Sequence, residues 1–389
     1  MTQAARRTAE RILAEADIRI GGDRPWDLQV HEPKFFARVL AEGSLGFGES
    51  YMDGWWDCED LGGMTTRAFT ARLEQKVKLN ATTLFAVLHS RLTNRQKKSR
   101  AVESGGMPYR FGDDLFEAML DPRLCYSCAY FGNESVAGSG DPRDDLAVAQ
   151  EQKLDLICRK VGLGAGDRVL DIGCGWGSFA GYAAERYGAN VLGVNVSEDQ
   201  LSLGRTKTAH LDNVELRFMD YRDLATAPDI ERPFDHVVSI GMFEHVGVKN
   251  YRDFFRVAAE CVADDGLFLL HTIGRNHSVR TLEPWIDKYV FPNCQLPSAK
   301  QISDAVEGIF VIEDWHNFGD HYATTLEHWW RGFDAAWPQL KGPRYDERFY
   351  RMWRFYLLGC VGRFRARRNQ LWHLVLSKRG VTGGYRSVR

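Results

Sequence analysis

The sequence predicts an α/β fold with a mainly parallel sheet, preceded by a small mixed α/β domain, and three observations lead there. From about residue 112, five apolar strand candidates alternate with helical patterns: Arg168–Ile172, Asn190–Val194, Val214–Phe218, Phe234–Ile240 and Gly266–Thr272. Such an order implies parallel strands joined by crossover helices. The first strand breaks into Asp171-Ile172-Gly173-Cys174-Gly175-Trp176-Gly177, a tight loop that runs into the helical pattern of Ser178–Ala184. Upstream, residues 91–106 are basic, polar and nearly free of large apolar side chains, which places a domain boundary there.

Residues 2–20 carry small and apolar side chains at helical spacing (Ala5, Ala9, Ile12, Leu13, Ala16), the pattern of an amphipathic helix that either touches a membrane or packs on its own domain. Trp26–Val30 alternates like a strand and Phe35–Leu40 reads as a short helix. Leu45–Trp56, dense in glycine and aromatics, is expected to be a turn-rich corner that packs rings against bare backbone. The chain thus divides into a small N-terminal domain over 1–90, a basic linker over 91–111 and a larger domain over 112–389. The linker cations either sit in solvent or meet anionic headgroups, at about 1 kcal/mol each near such a surface.

Composition narrows the function classes. A length of 389 residues suits about two domains. A hydrophobic fraction of 44%, with 22 Phe, 14 Tyr and 11 Trp, fills a sizeable core and leaves rings over for an apolar pocket. A net charge of −2 offers nothing to nucleic acid. No run approaches the ~18 apolar residues of a membrane-spanning helix and no signal-peptide core follows the first arginines, so a cytoplasmic protein is expected. The eight cysteines are scattered, which suits reduced thiols. Cys125 and Cys128 form the only close pair, with no second ligand pair for zinc, so no metal site is expected.

Ligands of open parallel sheets bind beyond the carboxyl ends of the strands. That rule selects Asp171–Gly177, Asn195–Gln200, Asp220–Arg222, Gly241–His245 and His271–Ile273. Two ligand classes compete for the glycine loop. A nicotinamide fingerprint has the spacing G-x-G-x-x-G, whereas this loop is G-x-G-x-G with Asp171 just before it, a pattern that resembles motif I of the S-adenosylmethionine-dependent methyltransferases. The second strand ends without an acid for a ribose, and Asn195 and Gln200 are candidates in its place. Glu198 and Asp199 fit better as first-turn helix acids after a Ser197 cap.

With these strand ends laid out, the sequence resembles the cyclopropane-fatty-acyl-phospholipid synthases and the related mycolic acid cyclopropane synthases. The carrying stretches are Tyr126–Phe131, Asp171–Gly177, Gly241–Gly247, Leu270–Gly274, Trp285–Pro292, Glu313–Gly319, Tyr322–Thr325, Phe364–Arg367 and Gln370–Trp372. The resemblance runs from Gly48–Trp56 almost to the end of the chain. It implies a Rossmann-like class I methyltransferase domain, which moves the methyl of S-adenosylmethionine to a cis double bond of an acyl chain and closes the ring with bicarbonate as base.

The two-domain layout looks like the bacterial phospholipid enzymes, which implies an unsaturated membrane phospholipid as substrate, peripheral contact with the inner membrane and a homodimer. Carried over by position, the bicarbonate pocket falls on Cys128, Glu244, His271, Ile273 and Tyr322. The cofactor positions fall on Tyr126, Ser127, Asp171, Gly173, Cys174, Gly175, Gly177, Asn195, Gln200, Tyr221 and Arg222. The mycolic branch differs at three of these positions, with Thr at 195 and Trp-Glu at 221–222.

The chemistry asks for such groups. An isolated alkene is a poor nucleophile, so in-line approach to the sulfonium methyl matters, and orientation can supply about 7–11 kcal/mol of the barrier. The resulting carbocation must lose a proton before water adds, and a small exchangeable base spares the protein from alkylating itself. Glu244 can accept the O–H of bicarbonate, while His271, Tyr322 and backbone N–H groups near Cys128 and Ile273 can donate. The bland alternatives are a helix cap at Glu244 and His245, a core histidine at 271 and an inert thiol at 128. Phe243, Trp285, Tyr289, Phe291, Phe318, Trp329, Trp330, Phe333, Phe355 and Leu358 are candidate walls of an acyl tunnel, with most expected to be core. Rival functions are a fatty-acyl methyltransferase giving a methyl-branched or methylene lipid, a non-catalytic lipid or cofactor binder, and a nicotinamide oxidoreductase.

Overall fold

A computed structural model describes residues 2–75, 111–132, 142–279 and 283–389; all but the last residue of the expected 91–111 linker lies outside them. The chain opens with α1 (Thr2–Ala14), β1 (Gln29–Val30), α2 (Phe35–Glu42), α3 (Ser44–Met52), β2 (Trp56–Asp57) and α4 (Leu61–Thr70). It continues with α5 (Asp113–Met119), α6 (Pro142–Val161), β3 (Arg168–Ile172), α7 (Ser178–Tyr187), β4 (Asn190–Asn195), α8 (Glu198–Thr208) and β5 (Val214–Phe218). Next come β6 (Phe234–Ile240), α9 (Tyr251–Cys261), β7 (Val262–Arg275), α10 (Pro284–Tyr289), α11 (Ala299–Val306), β8 (Val311–Asn317), α12 (Asp320–Leu340), α13 (Glu347–Arg365) and β9 (Asn369–Ser377).

Two compact units form. The first gathers residues 1–93, 280–292 and 322–369, and the second 94–279, 293–321 and 370–389. Where the sequence divides the chain into 1–90 and 112–389, the first unit is therefore discontinuous. Side-chain packing explains this. A Cβ on Gly48 of α3 would lie 2.4 Å from the Trp285 ring, Thr65 donates to the Leu358 carbonyl at 3.1 Å, and the Arg351 guanidinium holds the Trp56 carbonyl and Asp57 at 2.8 and 2.7 Å. Leu45–Trp56, expected as a turn-rich corner, is mostly the helix α3: its glycines Gly46 and Gly48 serve close approach of other segments of the chain and do not break the helix.

The second unit is a Rossmann-like α/β fold, as expected. Its sheet has the order β5-β4-β3-β6-β7-β9-β8. The β3–β4, β4–β5, β3–β6 and β6–β7 pairs are parallel, and β8–β9 is antiparallel. Three expected strands match the observed ends, and β7 runs on to Arg275, past the expected Thr272. β8 and β9 are not among the expected strands; β9 is buried on both faces and shows no alternation. In the central strands neighbouring side chains part to opposite faces. Val169, Val238, Leu269 and Val375 pack with α6 and α7, while Leu170, Val237, Leu270 and Leu374 pack with α9 and α11.

Candidate active site

A cavity opens beyond the carboxyl ends of β3, β4 and β6. Tyr126, Ser127, Asp171, Gly173, Cys174, Gly175, Asn195, Gln200, Tyr221 and Arg222 line it, ten of the eleven residues expected at the cofactor. The eleventh, Gly177, precedes α7 in a left-handed conformation and is not in the lining. The loop geometry demands glycine. Gly173 and Gly175 have φ of +88° and +56°, and a Cβ on Gly173 would lie 2.6 Å from the Met242 side chain. The turn brings bare backbone to the cavity wall.

Polar groups in the wall are already braced. The Ser127 carbonyl accepts from the Gln150 amide at 2.8 Å, and Lys153, buried on α6, donates to the Ser127 hydroxyl at 3.0 Å. Asp171 is 1% exposed and its Oδ1 has no hydrogen-bond partner among the described residues. Burial pushes its carboxyl up to about 7, against the pull of the Lys153 charge. Asn195 donates to the Gly175 carbonyl at 3.3 Å and to Gln200 Oε1 at 2.9 Å, so its amide supports the glycine loop. Ser197 caps α8 with Glu198 and Asp199 in the first turn, as expected. Arg222 pairs with Asp220 at 2.8 Å and lies over the Tyr221 ring.

Sequence reasoning missed Lys153; Trp176, Met242 and His245, inside the selected strand-end stretches but given no cofactor role there, also line the cavity. Trp176 sits inside the glycine motif and was readable there. Lys153 carries no local signal, because only the fold brings α6 to the loop. Burial drives the His245 imidazole down to about 4, which keeps it neutral.

A second group of residues lies where β6 ends beside β7. Ile240 pairs with His271, and the Gly241 N–H donates to the His271 carbonyl at 3.0 Å. Glu244 follows on a single 3-10 turn, Phe243–His245, and α9 starts only at Tyr251, so Glu244 does not cap that helix. Its Oε1 instead accepts the Ile273 N–H at 2.7 Å. That backbone donor, expected to be open to an anion, is thus engaged by the carboxylate. Glu244 Oε2 is buried with no hydrogen-bond partner among the described residues, and burial raises the carboxyl to about 7. His271 Nδ1 and His373 Nε2 share a hydrogen bond of 2.8 Å. Burial lowers both imidazoles well below the ordinary value, so both are neutral at pH 7.

Cys128 is fully buried and its thiol donates to the Ala129 carbonyl at 3.2 Å. Tyr322 belongs to the first unit, buried in α12 with its ring stacked on Phe364 at 4.5 Å. Among the candidate tunnel walls, Phe243 is core: it stacks on Tyr251 at 4.3 Å within the sheet's inner cluster. Phe318 packs its ring against His271 and His373 at 6.3 and 4.8 Å. In the first unit Trp285 and Trp329 are at most 1% exposed, and Trp285 meets Phe355 edge-on at 4.8 Å. Trp330 and Phe333 flank Tyr350 at 5.8 and 5.7 Å, Phe291 meets Tyr356 at 5.7 Å, Tyr289 donates to Glu49 at 2.8 Å, and Leu358 is buried.

The chain is similar to known proteins in sequence and fold. Residues 96–374 match the model of the family described as mycolic acid cyclopropane synthetase. The cyclopropane-fatty-acyl-phospholipid synthase of Escherichia coli K12 is 46% identical over 383 residues, 98% of this chain and 96% of that protein. A probable fatty acid methyltransferase of Pseudomonas putida is 31% identical over 370 residues, 92% of this chain and 88% of that one. Among solved structures, the mycolic acid cyclopropane synthase CmaA1 complexed with SAH and CTAB aligns with a TM-score of 0.61 at 31% identity, covering 71% of this chain and 98% of its own.

Proposed function

The chain belongs to the mycolic acid cyclopropane synthetase family and is an S-adenosylmethionine-dependent methyltransferase of lipid biosynthesis; from that premise we propose that it converts a cis double bond in a phospholipid acyl chain to a cyclopropane ring. The observation that carries this reading is Glu244: a buried carboxylate with one oxygen on the Ile273 N–H and the other with no partner among the described residues. A lone buried acceptor is costly unless a ligand donates to it. Bicarbonate presents one O–H and fits that acceptor.

Bound there, bicarbonate would supply a base for a proton of the added methyl. Glu244 accepts the anion's O–H and so sets its orientation, while His271 and Tyr322 donate to its oxygens. Cys128 and Ile273 line the place with backbone and small apolar surface. At the cofactor cavity, the glycine loop admits the adenosine against bare backbone. Asn195 and Gln200 meet the ribose, Tyr126 and Ser127 border the methionine end, and Tyr221 and Arg222 cover the adenine side. The zwitterionic methionine head complements the Asp171 carboxyl and the Lys153 ammonium, which share the same wall. S-adenosylmethionine is the proposed occupant because CmaA1, at 31% identity, was solved with SAH, the product left when the methyl departs.

The phospholipid substrate rests on the match across 98% of this chain to the E. coli phospholipid enzyme. With it go peripheral contact with the inner membrane from the cytoplasmic side and dimerisation, both readable by vesicle flotation and sedimentation. No helix of the described residues is long and apolar enough to cross a membrane. The test is direct: purified protein, S-adenosylmethionine and vesicles of unsaturated phospholipid give a product whose NMR spectrum carries cyclopropane ring protons. A product with the same added carbon and no ring protons points instead to the methylene or methyl-branched lipid of a fatty-acyl methyltransferase, the reading that the P. putida relative favours. Stripping carbonate from the buffer is expected to slow turnover, with recovery when bicarbonate is returned.

A further inference from the structure

The histidine beside His271 has a chemical consequence. His271 Nδ1 and His373 Nε2 lie 2.8 Å apart, the two residues are 1% and 0% exposed, and both rings are neutral. One proton therefore lies between them. Two arrangements satisfy that bond. In one, His271 carries its proton on Nδ1 and donates; His373 then holds a proton on its own Nδ1, and His271 Nε2 is a bare lone pair. In the other, His373 Nε2–H donates to His271 Nδ1, and the His271 proton sits on Nε2.

The surroundings decide between them. His373 Nδ1 is buried and has no hydrogen-bond partner among the described residues. In the first arrangement it is an unpaired N–H, in the second an unpaired ring lone pair. A buried orphan N–H is the rarer and costlier state, since folded chains leave acceptors under-satisfied more readily than donors. The rings of Phe318 at 4.8 Å and His316 at 6.4 Å pack around His373, and His316 Nδ1 is itself without a partner among the described residues.

We propose that His373 is a positioning residue for His271: its Nε2–H donates to His271 Nδ1 and thereby fixes the tautomer with the proton on His271 Nε2, the only neutral form able to donate to an anion. The proposal rests on the reading of His271 as a donor to the bound base. His271 sits on β7 and His373 on β9, neighbours in the sheet, so the backbone ladder keeps the two rings beside one another. His373 touches neither substrate nor anion in this scheme and acts only through the ring of His271.

Two measurements test it. Nitrogen-15 spectra of histidine-labelled wild-type protein, assigned with His271→Leu and His373→Gln, are expected to show His271 with a protonated Nε2 and an unprotonated Nδ1. His271 protonated on Nδ1 overturns the proposal while leaving the role of His271 in the site standing. In steady-state kinetics, His373→Leu, which removes the donor at similar size, is expected to lower kcat about tenfold or more with the KM for S-adenosylmethionine unchanged. His373→Gln, whose amide N–H can replace Nε2–H, is expected to restore most of that loss. A wild-type kcat in His373→Leu, or equal losses in the two variants, overturns it. A wild-type rate in His271→Leu removes the donor role on which the proposal rests, and with it the proposal. The wild-type spectrum keeps the test decisive if the leucine variant does not fold.

Discussion

The cofactor cavity and the group around Glu244 adjoin in sequence and share one sheet, yet different forces hold them. The cavity is built from backbone: a glycine loop with positive φ, braced by the Asn195 amide on the Gly175 carbonyl, and the Ser127 carbonyl, held by the Gln150 amide. Its side chains are mostly committed to one another before any ligand arrives. The Glu244 group is built from titratable side chains taken out of water, with a carboxyl raised to about 7 and two neutral imidazoles. Geometry makes the first site tolerant of side-chain changes and intolerant of a Cβ in the loop. Desolvation makes the second site sensitive to any change of donor or acceptor.

The sharpest way to break that contrast is Glu244→Gln. It replaces the acceptor for the ligand's O–H by an amide and is expected to slow turnover ~10²-fold or more while leaving S-adenosylmethionine affinity near normal. Tyr322→Phe is expected to behave alike, and calorimetry with S-adenosylhomocysteine separates the two parameters. If either variant kept full rate, the base would have to be held elsewhere.

Gly173→Ala should do the reverse. The added Cβ meets Met242 at 2.6 Å with φ at +88°, a strain of about 1–3 kcal/mol, so cofactor affinity is expected to fall about tenfold or more. Turnover at saturating cofactor should suffer less. An unchanged dissociation constant would show that the loop has more room than its backbone displays.

The third test uses pH. Glu244 titrates at 4.5 in an ordinary setting and at about 7 when folded, so the folded protein holds the proton more tightly than the unfolded chain. The stabilisation from that proton is full below about 4.5 and is lost as pH rises through about 7. Glu244→Gln cannot lose it. The variant's melting temperature is therefore expected to gain on wild type at pH 8 relative to pH 5, even as its activity falls. Asp171, also raised to about 7, has the same sign in both proteins and cancels in the difference. In wild type the rate should rise with pH through about 7 as Glu244 becomes an acceptor; a flat profile would count against its ionisation.

The smallest effect is expected at Asn195→Ala. It removes the bonds to the Gly175 carbonyl and to Gln200, each worth about 1 kcal/mol net. The KM for S-adenosylmethionine is expected to rise a few-fold with kcat nearly unchanged. A loss as large as that of Gly173→Ala would mean that the contact of Asn195 with the ribose outweighs its support of the glycine loop.

The sequence by itself determined the parallel strands of the second unit, the glycine loop and most of the cavity lining. Those features are local: an apolar run, a glycine where φ must be positive, a polar residue at a strand end. It placed Ser197 at the start of α8 for the same reason, since a cap and its acids lie within a few residues. What lay beyond it depends on partners distant in the chain. Gly48 reads as a turn residue until Trp285 is packed on it, and Phe243 reads as a tunnel wall until Tyr251 stacks on it. Lys153 and His373 carry no pattern of their own. Only the fold carries one to the cofactor cavity and the other to His271, more than a hundred residues away, because burial and the direction of a hydrogen bond belong to the packed chain and not to any window of it.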